Sequence, residues 1–185
     1  MKQNLPKRKP TRLKDFNYNN ERVYFVTVCT KNKLPVLSKI TAPDSEIYDS
    51  EESRSVYHDD EYYMPKTALF EYGRIADKYL KQLDGFYSEI SVLNYVIMPE
   101  HIHLLLFVSP SDEHSEQQNR QNSILSGFVS TFKRFCDKEI GENIWQDSFF
   151  EHIIRNEKDY DEHIRYIINN PLKRYYKNSD THAGD

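Results

Sequence analysis

The stretch EISVLNYVIMPEHIHLLLFVS, residues 89–109, contains two apolar runs separated by Pro99. Both runs are rich in β-branched and large apolar residues, which favour strands. Proline marks a break because it cannot donate a backbone hydrogen bond to a neighbouring strand. The pattern therefore predicts two strands, 89–99 and 101–109, or one long bent ribbon.

The segments around this pair predict the rest of the fold. RVYFVTVCTK (22–31) reads as a strand, and 143–155 has strand character. Apolar residues recur at helical spacing in three segments: 67–83, 123–140 and 157–170. We expect Thr67 to cap the first helix and Pro171 to end the last, since the residue before a proline avoids the helical region. The order β-α-β-β-α-β plus a C-terminal helix predicts an α+β, ferredoxin-like (split βαβ) fold, an antiparallel sheet with helices on one face.

Charge is distributed unevenly along the 185 residues, a length that suits one domain. Residues 1–40 contain ten Lys/Arg against two acidic residues, whereas 41–65 contain eight Asp/Glu against Arg54. The net charge of −4 therefore hides a basic remainder, which is compatible with a nucleic-acid partner. We predict four parts: a flexible basic arm (1–14), one domain (15–177), an acidic insertion loop within it (41–66), and a tail (178–185).

The composition argues against several classes of protein. Only 5 Gly are present, so we expect no glycine-rich phosphate loop. No apolar stretch approaches the ~20 residues of a membrane helix, and the basic start precedes no apolar signal segment. Cys29 and Cys136 match no metal-binding spacing, so we expect reduced thiols in a cytoplasmic protein.

His101 and His103 are the polar residues of the second apolar run. Residues i and i+2 of a strand share a face, so both imidazoles project together while Ile102 and Leu104 face the helix layer. Two imidazoles on a rigid strand can supply two ligands of a divalent metal site, although a hydrogen-bonded or solvent-facing pair is the commoner arrangement for an arbitrary H-x-H. The H-E-x-x-H pattern is absent, so a third ligand must come from elsewhere. Glu100 belongs to the opposite face unless the chain turns before the strand.

Three segments carry a resemblance to a known family. VIMPEHIHLLL (96–106), WQDSFFEHIIRNEKDYDEHIRYIINNP (145–171) and RLKDFNYNNERVYFVTVCT (12–30) resemble the single-tyrosine HUH transposases, and more closely the REP-associated tyrosine transposases. The resemblance extends over about 12–40 and 67–175. It implies a metal-dependent single-stranded DNA endonuclease and strand transferase that forms a covalent 5′-phosphotyrosine. The implied partner is single-stranded or hairpin DNA, bound by a monomer or homodimer.

The resemblance also implies roles for individual residues. The family's histidine pair falls on His101 and His103, its nucleophile on Tyr166, and its third metal ligand, one turn later, on Asn170. The implied cofactor is Mg²⁺ or Mn²⁺, because an amide oxygen suits a hard cation. Tyr160, the other candidate nucleophile, is expected to pack. The proton acceptor for the nucleophile is not identified, and no nucleotide cofactor is required.

Basic residues supply candidate phosphate contacts, although each alone is more often a solvated surface charge. They are Lys7, Arg8, Lys9, Arg12, Lys14, Lys133, Arg134, Arg155, Lys173, Arg174 and Lys177. Arg155 matches a position typical of the family, where a ligand contact and an ion pair are both open. Trp145, Phe149 and Phe150 could stack on bases, but core packing is favoured.

Two other functions stay open at this point. One is a non-catalytic module of the same fold that binds hairpin DNA or RNA, and the other is a small metallohydrolase with water as nucleophile. The overall acidic charge departs from what a DNA enzyme normally shows. Glu100 also stands where the family often has asparagine, and Asn170 predicts a loosely held metal.

Overall fold

The computed structural model describes residues 22–42, 65–109 and 124–182. The predicted basic arm lies outside the described residues, as do positions 43–64 of the acidic insertion, 110–123 and the last three residues. The domain boundaries predicted from the sequence therefore stay predictions.

The described residues form the predicted order of elements, with one additional hairpin. The elements are β1 (Arg22–Cys29), β2 (Ser38–Thr41), β3 (Lys66–Leu69), α1 (Glu71–Phe86), β4 (Ile90–Ile97), β5 (His101–Val108), α2 (Ile124–Ile140), β6 (Phe150–Ile153) and α3 (Glu157–His182). Four strands form one sheet in the order β4-β5-β1-β6, and every neighbouring pair is antiparallel. The α+β, split βαβ prediction is thus confirmed. Within the described parts of the chain, no helix has the length and apolarity needed to cross a bilayer.

One face of the sheet carries the hydrophobic core under α1 and α2. Alternate residues of the two central strands are fully buried there, together with residues of both helices. They include Tyr24, Val26, Val28, Ile102, Leu104, Leu106, Leu80, Phe128 and Phe132. Each fully buried apolar side chain of this size contributes roughly 1.5–3 kcal/mol, so this face supplies most of the burial that stabilises the domain.

The opposite face of the sheet is covered by α3. The ring of Phe25, which alternates with the core residues of β1, lies 4.6 Å from the ring of His163 on α3. Leu105 also alternates with the core positions of β5, yet it is fully buried. Among the described residues, α3 is therefore the one helix that packs on the face from which His101 and His103 project.

The first helix begins later than predicted. Residues Lys66–Leu69 form β3, which pairs with Ser38–Thr41 from the other end of the acidic insertion. The N-cap is Phe70, which makes no side-chain capping hydrogen bond, so the prediction that Thr67 caps the helix is wrong. The residues before Glu71 pair with a strand distant in sequence, so they do not begin the helix. The spacing of apolar residues within the segment does not predict this pairing.

The last helix continues through Pro171, so the prediction that this proline ends it is wrong. Proline removes one backbone donor and leaves the carbonyl of Ile167 without its helical partner, which disfavours the position. Both Pro171 and Ile167 are buried, and their packing offsets that loss. Because the helix is uninterrupted, Lys173 and Arg174 lie on the same helix as the predicted nucleophile.

Candidate active site

His101 and His103 project from the same face of β5, as strand alternation requires. Their Nε2 atoms lie 2.9 Å apart and their ring centroids 4.4 Å apart. Neighbouring ligands of an octahedral cation with bonds of 2.0–2.1 Å are separated by about 2.9 Å. Ligands of a tetrahedral zinc ion are separated by about 3.3 Å. The 2.9 Å spacing is that of a hydrogen bond between the two rings, and it equals the spacing of neighbouring ligands of an octahedral cation.

The second nitrogen of each ring also has a partner. Thr27 Oγ1 lies 2.8 Å from Nδ1 of His103, directly across the ladder between β1 and β5. Glu100 Oε1 lies 3.5 Å from Nδ1 of His101. A proton on each Nδ1 faces an oxygen in this arrangement, which leaves both Nε2 lone pairs for a cation. Metal-binding histidines are usually oriented in this way.

Burial keeps both imidazoles neutral. Desolvation, together with the neighbouring His101 and His163, lowers the pKa of His103 to about 3. Desolvation also lowers the pKa of His101, and it outweighs the carboxylate of Glu100, which acts in the opposite direction. The neutral imidazole is the form that binds metals, so the pair is available to a cation at neutral pH.

Glu100 lies on the side of the histidines, because the chain turns just before β5. The turn is closed by a 2.8 Å hydrogen bond from the backbone N–H of Met98 to the carbonyl of His101. The Glu100 carboxylate forms an ion pair with Arg174, whose Nη1 lies 3.2 Å from Oε1 and whose Nη2 donates to Oε2 at 3.4 Å, and it also lies near His101. One carboxylate thus connects the histidine pair with α3.

The helix α3 places Tyr166 beside this pair. The Tyr166 ring centroid lies 5.1 Å from that of His103 and 5.9 Å from that of Phe25. Its side chain is 39% exposed, so a ligand from solvent can reach it. Asn170 follows one turn later on the same helical face and is only 9% exposed. Tyr160 lies in the first turn of α3 and is half-buried.

Two of the candidate phosphate-binding residues lie at this site. Lys173 Nζ stands 5.1 Å from the centroid of the Tyr166 ring, and Arg174 pairs with Glu100. Arg155 lies before the first turn of α3, where its side chain is exposed and its backbone N–H donates to Asp159. The five residues of the basic arm, Lys7, Arg8, Lys9, Arg12 and Lys14, lie outside the described part of the chain.

Lys133 and Arg134 lie on α2, which packs on the opposite face of the sheet. The ammonium of Lys133 donates to the backbone carbonyls of Gln146 and Ser148 at 2.7 and 3.2 Å, and desolvation lowers its pKa. These bonds tie Lys133 to the loop before β6, and a phosphate contact by its ammonium would compete with them. Arg134 is exposed, with its guanidinium over the ring of Phe135.

The aromatic residues before β6 differ in accessibility. Trp145 is buried against Phe132 in the core, as packing predicted. Phe149 is half-buried, with the ammonium of Lys133 5.9 Å from its ring centroid. Phe150 is 50% exposed, which leaves its ring available for stacking.

A second group of polar residues, His152, Asp159 and His163, lies next to the site, and the sequence did not predict that the three meet. It joins β6 to the first turns of α3 through hydrogen bonds of His152 and His163 to Asp159. Asp159 and His163 are four residues apart, a spacing that predicts that both lie on one face of a helix. The contact with His152 depends on how α3 folds back on the sheet, which spacing does not give.

The sequence profile of the family described as "Transposase IS200 like" matches residues 73–170, more than half of the chain. An uncharacterized protein of Haemophilus influenzae is 25% identical over 181 residues, covering 89% of this chain and 88% of that protein. A REP-associated tyrosine transposase of Escherichia coli is 35% identical over 79 residues, covering 43% of this chain. A putative REP-associated tyrosine transposase of Haemophilus influenzae is 35% identical over 88 residues. The alignments span 42% and 48% of these two transposases.

A solved structure, that of a REP-associated tyrosine transposase bound to a REP hairpin, has the same fold. The superposition has a TM-score of 0.53 and 21% sequence identity, and it covers 88% of this chain and 74% of that one. At this level of identity the likeness concerns the fold.

Proposed function

Because the chain belongs to the IS200-like transposase family, we propose that it is a metal-dependent endonuclease and strand transferase for single-stranded DNA, with Tyr166 as its nucleophile. One observation carries the proposal: the Tyr166 ring lies 5.1 Å from that of His103, whose Nε2 faces the Nε2 of His101 at 2.9 Å. The proposed nucleophile thus lies beside two proposed cation ligands that are distant from it in sequence, and its side chain is 39% exposed.

His101, His103 and Asn170 would hold the cation. The spacing of the two imidazole nitrogens and the hard amide oxygen both fit Mg²⁺ or Mn²⁺. When bound, such a cation supplies Lewis-acid polarisation of a phosphoryl oxygen and offsets the charge that develops on it. Thr27 and Glu100 would fix the orientation of the two rings through their Nδ1 atoms.

Tyr166 would carry out covalent catalysis. Its phenolic oxygen attacks the phosphorus and forms a 5′-phosphotyrosine, while the bond from phosphorus to the 3′-oxygen breaks. The phenolic proton passes to solvent water, and the departing oxygen takes up a proton to become a 3′-hydroxyl. Since the energy of the phosphodiester is kept in the new bond, a 3′-hydroxyl can reverse the step and join strands.

The substrate is proposed to be DNA of the hairpin type. A solved relative of the same fold is bound to a REP hairpin, which supports this choice. Lys173, beside the ring of Tyr166, is the described cation best placed to contact a phosphate near the reacting atom. The basic arm would add contacts that weaken with salt.

The test uses the full chain, a labelled library of hairpin-bearing single-stranded oligonucleotides, and Mn²⁺ or Mg²⁺. We expect a protein–DNA adduct that survives denaturation, is abolished in Tyr166→Phe and persists in the matched control Tyr160→Phe. Cleavage that survives Tyr166→Phe would refute the tyrosine mechanism and favour water as the nucleophile. Binding without cleavage at any metal concentration would favour a non-catalytic module.

A further inference from the structure

The residues His152, Asp159 and His163, which we call the β6–α3 cluster, are not used by the proposed reaction. His152 comes from β6 and the other two from the first turns of α3. One ligand atom from each residue lies within 4.8 Å of the other two. Two imidazoles and a carboxylate from two different elements therefore converge on one point.

The distances in the cluster approach those of a metal site. His152 Nε2 lies 3.0 Å from both carboxylate oxygens of Asp159, and His163 Nδ1 lies 3.1 Å from one of them. Neighbouring ligands of a tetrahedral zinc ion are about 3.3 Å apart. The two imidazole rings are stacked at 4.7 Å with an angle of 16° between their planes. Because the planes are nearly parallel, at least one of the two rings would have to turn for both nitrogens to face a single cation.

The surroundings keep Asp159 ionised and oriented. Burial raises the pKa of its carboxyl, but hydrogen bonds from His152 and from the backbone N–H of Arg155 outweigh burial and lower it. Asn156 caps the helix by accepting from the backbone N–H of Asp159 at 3.0 Å. The carboxylate is thus held by the helix start, an outer-shell arrangement of the kind that supports metal ligands.

We propose that His152, Asp159 and His163 form a second metal site, of the Zn²⁺ type, that fastens the start of α3 to β6. Two imidazoles and one carboxylate are a donor set that catalytic zinc sites use, with a fourth position left open. The side chain of His152 is 41% exposed, so water can occupy a fourth position. The proposal does not depend on the chain cleaving DNA.

Binding would exchange existing hydrogen bonds for metal bonds. His163 Nδ1 lies 2.8 Å from the backbone carbonyl of Asp159, an interaction that requires the proton on Nδ1. A cation at this nitrogen requires the other tautomer, with the proton on Nε2. Zn²⁺ binding would therefore join β6 and α3 by metal–ligand bonds where hydrogen bonds now join them.

The cluster is a neighbour of the predicted catalytic cation site but separate from it. The Phe25 ring lies between them, 4.6 Å from the ring of His163 and 5.1 Å from the ring of His103. His163 is also one turn before Tyr166 on the same helix. A cation in the cluster would hold the segment of α3 that leads into the nucleophile.

The experiment measures Zn²⁺ binding by the metal-free full chain, using competition with a chromogenic chelator, and the thermal shift caused by Zn²⁺. All variants carry His101→Ala and His103→Ala as a common background, so that the histidine pair of the predicted catalytic site cannot bind Zn²⁺. Into this background we introduce Asp159→Asn or, as a matched control, Asp161→Asn, which removes an equal charge from an exposed position on α3. Circular dichroism of the metal-free variants checks that each is folded.

In the background variant we expect one bound Zn²⁺ and a rise in melting temperature of roughly 5–10 °C at a hundredfold excess over the dissociation constant. Asp159→Asn should weaken binding by at least tenfold and remove most of the thermal shift, while Asp161→Asn should change neither. Absence of Zn²⁺ binding in the folded background variant, or equal binding by both asparagine variants, would overturn the proposal.

Discussion

The two faces of the four-stranded sheet share the same central strands, β1 and β5, but differ in what covers them. One face is apolar and lies under two helices, with alternate residues of both strands fully buried. The other carries imidazole, hydroxyl and aromatic groups under a single helix that is itself partly exposed. One face therefore stabilises the fold, while the other presents reactive groups at fixed positions.

The sharpest test of this division uses neighbouring residues of β5, Leu104 on the packed face and His103 on the other. Leu104→Ala should lower the free energy of unfolding by about 3–4 kcal/mol, because it leaves a cavity among fully buried residues. Adduct formation per folded molecule should stay within about threefold of the wild type. Urea unfolding, together with the adduct assay at low temperature, measures both quantities.

His103→Asn should show the reverse pattern. We expect adduct formation to fall by at least ~100-fold, because one of two imidazole ligands is lost, while the unfolding free energy at pH 7.5 changes by less than ~1.5 kcal/mol. Retained adduct formation in His103→Asn, or lost adduct formation in folded Leu104→Ala, would show that stability and activity are not assigned to separate faces.

The packed face also predicts opposite effects for two helical glycines. A Cβ on Gly73 of α1 would stand 2.0 Å from the backbone carbonyl oxygen of Leu37, so Gly73→Ala should cost roughly 2–3 kcal/mol of stability. On Gly127 of α2 a Cβ would meet nothing within 4 Å, so Gly127→Ala should stabilise by up to ~1 kcal/mol. Thermal and urea unfolding compare the two, and a stabilising Gly73→Ala would refute the close approach.

The division between the faces also explains what the sequence could predict. Strand alternation depends on local geometry, so it predicted which side of β5 would carry His101 and His103. The hairpin of β2 and β3, the continuation of α3 through Pro171, and the contact of His152 with Asp159 depend on segments that meet only in the fold. The spacing of residues within one segment does not predict such contacts.

The buried imidazole on the reactive face makes stability depend on pH. Burial, together with the neighbouring His101 and His163, lowers the pKa of His103 to about 3 in the folded protein, against an ordinary value near 6.5 in the unfolded chain. Between these values the unfolded chain binds more protons, so stability is present above pH 6.5 and is lost as the pH falls. His103 alone should account for a loss of about 2 kcal/mol by pH 5.

Urea unfolding at pH 7.5 and pH 5, with a chelator present, measures this loss in the wild type and in His103→Asn. Other titrating groups are common to both proteins, so the difference between them isolates the imidazole. An identical pH dependence in both would contradict the assigned burial of a neutral ring.

A smaller loss of adduct formation than for His103→Asn is expected at the carboxylate that connects the histidine pair with α3. Glu100→Gln removes the charge that faces Arg174 and His101, so we expect adduct formation to fall by about tenfold. Arg174→Gln should act similarly, and the double variant should be little worse than either, because both break one interaction. Glu157→Gln, exposed at the start of α3, is the control and should have no effect.

The way α3 is attached has a consequence for local opening. The strand β5 is hydrogen-bonded on both sides, to β4 and β1, whereas α3 makes no backbone hydrogen bond to the sheet among the described residues. Amide protons of β5 should therefore exchange with solvent only on global unfolding, and those of α3 through smaller openings. The two halves of the site would then have different lifetimes: the histidine pair persists as long as the domain, and the tyrosine can leave and return while the domain stays folded.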